Sequence, residues 1–171
     1  MKPKRYLGYL GALSSVCLAA VLLATPSAAA GTPDRLPVFS LPDLDGKTRS
    51  SAEFMGKVMV VDFWATWCAT CKETIPKLAE LHEKYKGKGL VIIGVSVDKG
   101  SAERVRKAAK KLGITYLVLH DKDNTLSKSF GFTGIPSLYV FDRRGAMSKS
   151  MPGYDPDQED QLAVATLDAL R

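Results

Sequence analysis

Long basic runs, low-complexity segments and internal repeats are all absent from this 171-residue sequence. The lack of biased composition excludes a largely disordered chain, and without repeats a repeat architecture has no support. The length suits one well-packed domain and is too short for two comfortable ones. We therefore expect one globular domain after any targeting segment.

Histidine and cysteine are also scarce, with two histidines and three cysteines. A Cys2His2 metal site is conceivable from Cys68, Cys71, His82 and His120. Their segments suggest different faces of the fold, so we expect no metal and no other cofactor. The third cysteine, Cys17, lies in an apolar run and is interpreted as an incidental apolar residue.

The charge balance is only mildly basic. The formal net charge is +6, and the first 30 residues hold three basic and no acidic residues, so the remainder carries about +3. The densest basic stretch, residues 104–111, surrounds apolar positions at helical spacing. This pattern favours a solvated helix face over a nucleic-acid or lipid patch, so no nucleic-acid partner is expected.

The first 30 residues have the pattern of an export signal. Basic residues at positions 2–5 precede an uncharged run over residues 7–24, and small residues follow. Ala28 and Ala30 form the A-x-A pattern of a cleavage site after Ala30. The uncharged run is also just long enough to cross a bilayer, so an uncleaved membrane anchor is the alternative. Either interpretation carries the remainder, residues 31–171, to the outer side of the membrane.

The most informative motif pairs Cys68 with Cys71 directly behind an apolar strand-like run at residues 58–61. Cysteines at this spacing share one helical turn and can form a disulfide or a reactive dithiol. A strand that passes into a helix here places Cys68 at the positive end of the helix dipole, which favours its thiolate. The thiolate is the attacking species in disulfide exchange.

Hydrophobic periodicity predicts alternating strands and helices with a late hairpin. This order indicates an α/β fold with a mixed central sheet and helices on both faces. An added N-terminal β-hairpin is predicted over residues 38–48, with its turn at Asp45-Gly46. The strands are predicted over residues 58–64, 90–97, 115–119, 137–141 and 146–151. The helices are predicted over residues 69–85, 101–112 and 124–130, with a last one that opens at Asp155-Pro156.

The run V-D-F-W-A-T-W-C-A-T-C-K over residues 61–72, together with Gly134-Ile135-Pro136-Ser137, resembles the thioredoxin superfamily. The hairpin at residues 41–47, Glu73 with Pro76, and the strand end at residues 94–98 resemble more specifically the exported TlpA/ResA-like thiol–disulfide oxidoreductases. The likeness covers nearly all of residues 35–170. It implies a thioredoxin fold for the domain formed by residues 31–171.

The resemblance assigns roles at the dithiol. Cys68 matches the nucleophilic cysteine and Cys71 the more buried resolving cysteine. Trp67 matches the aromatic residue that shields the site and offers a flat surface to clients, with simple core packing as the alternative. Ile135-Pro136 matches a cis-proline loop, in which the exposed backbone of Ile135 pairs with an extended client peptide.

Two acidic residues are candidates near the site. Asp62 matches the buried carboxylate of thioredoxin itself, whereas many TlpA/ResA-like proteins carry a neutral residue there. Burial should raise its pKa and let it take the proton of Cys71, although a hydrogen-bonded structural aspartate is the alternative. Asp98, at the end of its strand, is interpreted as a cap of the following turn.

The expected function is reduction of specific protein disulfides in the bacterial periplasm by a monomeric enzyme. The resemblance suggests clients with cysteine pairs that await haem or copper, such as apocytochrome c, and a membrane thiol relay as electron donor. Ala69-Thr70 lacks the proline usual between such cysteines, which leaves the direction of electron flow open. The rival interpretation is a thiol-dependent chaperone or a metal-delivery module without turnover.

Overall fold

The computed structural model describes residues 31–171, so the predicted export segment at residues 1–30 lies outside the described residues. Within residues 31–171, no helix combines the length and the apolarity that a bilayer span requires. The strands are β1 (Ser40–Pro42), β2 (Thr48–Ser50), β3 (Val58–Trp64), β4 (Leu90–Ser96), β5 (Leu117–His120), β6 (Ser137–Phe141) and β7 (Met147–Pro152). The α-helices are α1 (Ala69–Tyr85), α2 (Ala102–Lys111), α3 (Thr125–Phe130) and α4 (Glu159–Leu170). Short 3₁₀ segments lie at Ser51–Phe54, Lys86–Lys88 and Pro156–Gln158.

The central sheet has the strand order β5-β4-β3-β6-β7 and is mixed, as predicted. Strands β3, β4 and β5 are parallel to one another, whereas β6 and β7 are antiparallel to their neighbours. All seven residues of β3 are buried, because a central strand covered on both faces contacts no water. This burial explains why the sequence of the strand is a nearly continuous apolar run.

The predicted N-terminal hairpin forms a separate two-stranded sheet from β1 and β2. The Asp43 carboxylate accepts hydrogen bonds from the backbone N–H groups of Asp45 and Lys47, which fixes the turn. A single β-bridge between Asp43 and Leu119 fastens the hairpin to β5. A second bridge, between Arg35 and Ala146, fastens the start of the described chain beside β7.

Both faces of the central sheet are covered, which confirms the predicted thioredoxin-like architecture. Alternate residues of β3 point to opposite faces. Met59, Val61 and Phe63 pack with the hairpin and α3 in one core cluster. Val58 and Val60 pack with α1 and α4 in a second cluster.

Helix α1 begins at the cysteine motif and runs through Pro76, which does not end it. Its buried face carries Cys71, Ile75, Leu78 and Tyr85, and this stripe holds the helix against the sheet. The last helix departs from prediction, because its first turn is a 3₁₀ segment and the α-helix starts only at Glu159. The Asp155 carboxylate still caps that turn, as predicted, by accepting the Asp157 N–H.

Candidate active site

Cys68 and Cys71 form a disulfide with an S–S distance of 2.06 Å at the junction of β3 and α1. Cys68 is the N-cap of α1, and its sulfur accepts the Cys71 N–H at 3.1 Å. The helix dipole therefore points its positive end at Cys68 and favours a thiolate there after reduction. Cys68 is 6% exposed and Cys71 is fully buried, so only Cys68 can meet a protein client.

The Ile135-Pro136 loop lies opposite the disulfide. The Ile135-Pro136 peptide bond is cis, and the Ile135 carbonyl oxygen is 3.8 Å from the Cys68 sulfur. The sulfur carries no hydrogen in the disulfide, whereas the reduced thiol can donate to this carbonyl. The structure thus brings together two segments that lie 67 residues apart in sequence.

Trp67 lies on the surface beside the disulfide with 63% of its side chain exposed. Core packing, the alternative for this residue, is therefore wrong. Together with Val97, Phe132 and Ile135, Trp67 lines a shallow groove next to the cysteines. An exposed indole of this size gives an apolar surface for a partner chain at low conformational cost.

Asp62 lies at the centre of β3 and is 1% exposed. Neither carboxylate oxygen has a hydrogen-bond partner among the described residues, so a hydrogen-bonded structural aspartate is not what the structure contains. Burial alone raises the pKa of Asp62 from its ordinary value of 3.8 to about 7. A carboxyl with this pKa can exchange a proton near neutral pH.

Asp98 has a different role from the turn cap that the sequence suggested. Its buried carboxylate accepts hydrogen bonds from the Thr66 N–H at 2.9 Å, the Thr66 hydroxyl at 2.7 Å and the Ser96 hydroxyl at 2.9 Å. Thr66 lies two residues before Cys68, so Asp98 holds the loop that carries the cysteine. The sequence feature that could have indicated this contact is the expected parallel pairing of β3 and β4, because the carboxyl ends of parallel strands meet at one edge of the sheet.

We predict that Thr66→Val lowers the free energy of unfolding by about 1–3 kcal/mol, because a buried carboxylate loses one of its donors. The same change should slow thiol exchange at Cys68 several-fold by loosening the loop. Urea unfolding and reduction of a disulfide peptide measure the two effects. Thr48→Val, at an exposed strand position, is the control. Equal effects of the two substitutions would show that the Thr66–Asp98 contact is unimportant.

The two histidines lie in separate surroundings. His120 Nε2 is 2.8 Å from the Asp98 carbonyl oxygen, and His82 packs against the ring of Tyr116. Within residues 31–171, no group of three or more histidine, cysteine, aspartate or glutamate side chains is arranged to hold a metal.

The AhpC/TSA family model matches residues 32–150. Over 117 residues the chain is 32% identical to a thiol-disulfide oxidoreductase ResA of Bacillus thuringiensis subsp. konkukian, which covers 68% of this chain and 67% of that protein. The corresponding protein of Geobacillus thermodenitrificans is 29% identical with the same coverage. The crystal structure of a thiol:disulfide interchange protein of the thioredoxin family from Chlorobium tepidum superposes with a TM-score of 0.70 at 30% identity. The match covers 84% of this chain and 100% of that one.

Proposed function

Since the chain belongs to the AhpC/TSA family and is a thiol–disulfide oxidoreductase of the ResA type, we propose that it works outside the cytoplasm and reduces specific protein disulfides through Cys68 and Cys71. The observation that carries the proposal is the exposure difference between the two sulfurs beside the Ile135 loop. The Cys68 sulfur can contact a client, whereas the Cys71 sulfur, one helical turn later, can contact only the Cys68 sulfur. This arrangement suits a two-step exchange.

The first step joins enzyme and client. The Cys68 thiolate attacks one sulfur of the client disulfide, an enzyme–client disulfide forms, and the other client sulfur leaves as a thiolate. The client backbone lies along Ile135 as an added strand, and Trp67 covers its side chains. The N-terminus of α1 stabilises the attacking thiolate through the helix dipole.

The second step releases the client. The Cys71 thiol gives its proton to the Asp62 carboxylate and attacks the Cys68 sulfur. This attack forms the Cys68–Cys71 disulfide and expels the second client thiolate, which takes up a proton from water. Two electrons have then passed from the enzyme dithiol to the client. A dithiol supplied by a membrane thiol relay would return the enzyme to its reduced form.

The proposed clients are exported proteins whose cysteine pairs must be reduced before haem or copper binds, with apocytochrome c as the example. The support is the likeness to ResA-type oxidoreductases and the signal-like pattern of residues 1–30. Cleavage after Ala30 would release a periplasmic monomer, whereas retention would leave the domain tethered to the outer face of the membrane.

The full-length Cys71→Ser variant should capture these clients in cells, because it cannot complete the second step. We expect disulfide-linked adducts with exported proteins that contain cysteine pairs, visible on non-reducing gels and identified by mass spectrometry. The Cys68→Ser/Cys71→Ser double variant is the control and should capture none. Adducts only with cytoplasmic proteins, or none at all, would contradict the proposal, and stoichiometric metal without exchange would favour the metal-delivery interpretation.

A further inference from the structure

The face of the sheet under α1 contains a group of buried polar atoms that the two-step exchange does not explain. These atoms have no hydrogen-bond partner among the described residues, although an unpaired buried polar group costs about 1–3 kcal/mol. They are both carboxylate oxygens of Asp62, the indole Nε1 of Trp64, the hydroxyl of Tyr116 and Nδ1 of His82.

Gly94 explains how three of these side chains come together. It pairs with Asp62 in the parallel register of β3 and β4. A Cβ atom on Gly94 would stand 3.1 Å from Cε2 of Tyr116 and 3.2 Å from Nε1 of Trp64. The missing side chain therefore admits the Tyr116 ring and the Trp64 indole beside the carboxylate. Burial is the main cause that raises the pKa of Tyr116, and the negative charge of Asp62 raises it further. The phenol is therefore within electrostatic reach of the carboxylate.

His82 lies at the outer end of this group. Its ring meets the Tyr116 ring edge to face with centroids 6.1 Å apart. Its side chain is 17% exposed, and its buried Nδ1 lies 3.8 Å from Oε1 of Glu83 without a hydrogen bond to it. Burial lowers the pKa of His82, which favours the neutral imidazole, and a neutral imidazole has one nitrogen free to accept a proton.

Apolar clusters lie on both faces of β3. Cys71 and Ile75 of α1, both fully buried, pack in one cluster with Trp64, and the far side of the sheet holds a cluster rich in aromatic side chains. The hydroxyls of Tyr154 and Thr166 are also buried without a partner among the described residues. The polar atoms beside Gly94 mark a route from the carboxylate toward the surface, through Tyr116 to His82.

We propose that Tyr116 and His82 form the route by which Asp62 exchanges its proton with solvent. This inference rests on the proposed role of Asp62 in client release. The proton that Asp62 takes from Cys71 leaves the carboxyl oxygen and is accepted at the Tyr116 hydroxyl, which gives its own proton onward and stays neutral. His82 accepts that proton at its unprotonated ring nitrogen and releases one from its other nitrogen to water. These groups are not in direct hydrogen-bond contact, so the proposed transfer needs bridging water.

The charged groups around the route are few. Glu83 and Lys86 face His82 and have opposite effects on its pKa, and Glu83 also bonds Thr115. Among the described residues, no charged side chain moves the pKa of Asp62, which burial alone raises. The pH dependence of the second step should therefore reflect Asp62 and His82.

Tyr116→Phe and His82→Gln test the route, with Tyr139→Phe as the matched control. Tyr139 is also buried with its hydroxyl inside the protein, but it lies on the opposite face of the sheet. In weakly buffered solution we expect both test variants of the full-length protein to reduce a disulfide peptide over repeated turnovers about tenfold more slowly, whereas the control is unchanged. Added imidazole should restore His82→Gln at the surface and leave Tyr116→Phe slow.

A second measurement, which does not depend on disulfide exchange, tests the proton route separately from the redox function. Infrared titration of the Asp62 carboxyl in the oxidised protein should show a higher pKa in Tyr116→Phe than in wild type and no change in Tyr139→Phe. Unchanged titration in Tyr116→Phe, or wild-type rates of repeated turnover in both test variants while Asp62→Asn is slow, would overturn the route and leave Asp62 as base. Normal resolution in Asp62→Asn would instead overturn the proposed role of Asp62.

Discussion

The Cys68→Ser variant is expected to lose disulfide reduction by about 1000-fold or more, whereas Cys71→Ser performs the first step once and stops. The difference follows from exposure. Cys71 is fully buried on the inner face of α1 and cannot replace Cys68 as the attacking group. Cys68 retains its place at the helix N-terminus when Cys71 is changed, so its thiolate still attacks a client.

Mass spectrometry of each reduced variant after mixing with a disulfide peptide measures this difference. Cys71→Ser should carry one peptide per protein, and Cys68→Ser should carry none. Cys17→Ser, at the cysteine outside the described residues, is the control and should turn over like wild type. Capture of peptide by Cys68→Ser would show that the wrong sulfur has been assigned as the nucleophile.

Replacing Asp62 with asparagine should remove a large pH dependence of stability. The unfolded chain releases this proton near pH 3.8, and the folded chain near pH 7. Between these values the folded state binds a proton that the unfolded state does not, so the free energy of unfolding falls as the pH rises. The total loss is about 4 kcal/mol between pH 4 and pH 7, and no further loss occurs above that range.

Urea unfolding of wild type and Asp62→Asn across pH 4–8 measures this effect. Asp123→Asn, at an exposed position, is the control and should follow wild type. The Asp62→Asn variant should also resolve mixed disulfides about 100-fold more slowly above pH 7, where the wild-type carboxylate is ionised and can accept a proton. Parallel stability curves for wild type and Asp62→Asn would show that the carboxyl does not titrate as its burial implies.

The sequence predicted the central elements well because their signals are local. The bounds of β3, α1 and β6 agree with prediction, since apolar runs end there at residues that favour turns or caps. The cis bond before Pro136 came from the family resemblance and from no property of the residues themselves. Burial of Asp62 also followed from its place in an apolar run.

The contacts that the sequence did not predict join distant segments. The hydrogen bonds between Asp98 and Thr66 depend on the ends of β3 and β4 meeting, which periodicity alone does not fix. The approach of Tyr116 to Asp62 depends on a glycine in the strand between them. A glycine inside a strand signals a close approach, but the sequence does not identify the approaching side chain.

The two isolated bridges of the N-terminal segment affect how the enzyme meets unfolded polypeptides. Arg35 contacts the chain beside β7, and Asp43 contacts β5, so one short segment touches the sheet near both of its outermost strands. Open strand edges are templates for aggregation with extended chains. By occupying part of the β5 margin, the segment leaves less open edge there for an extended chain to pair with.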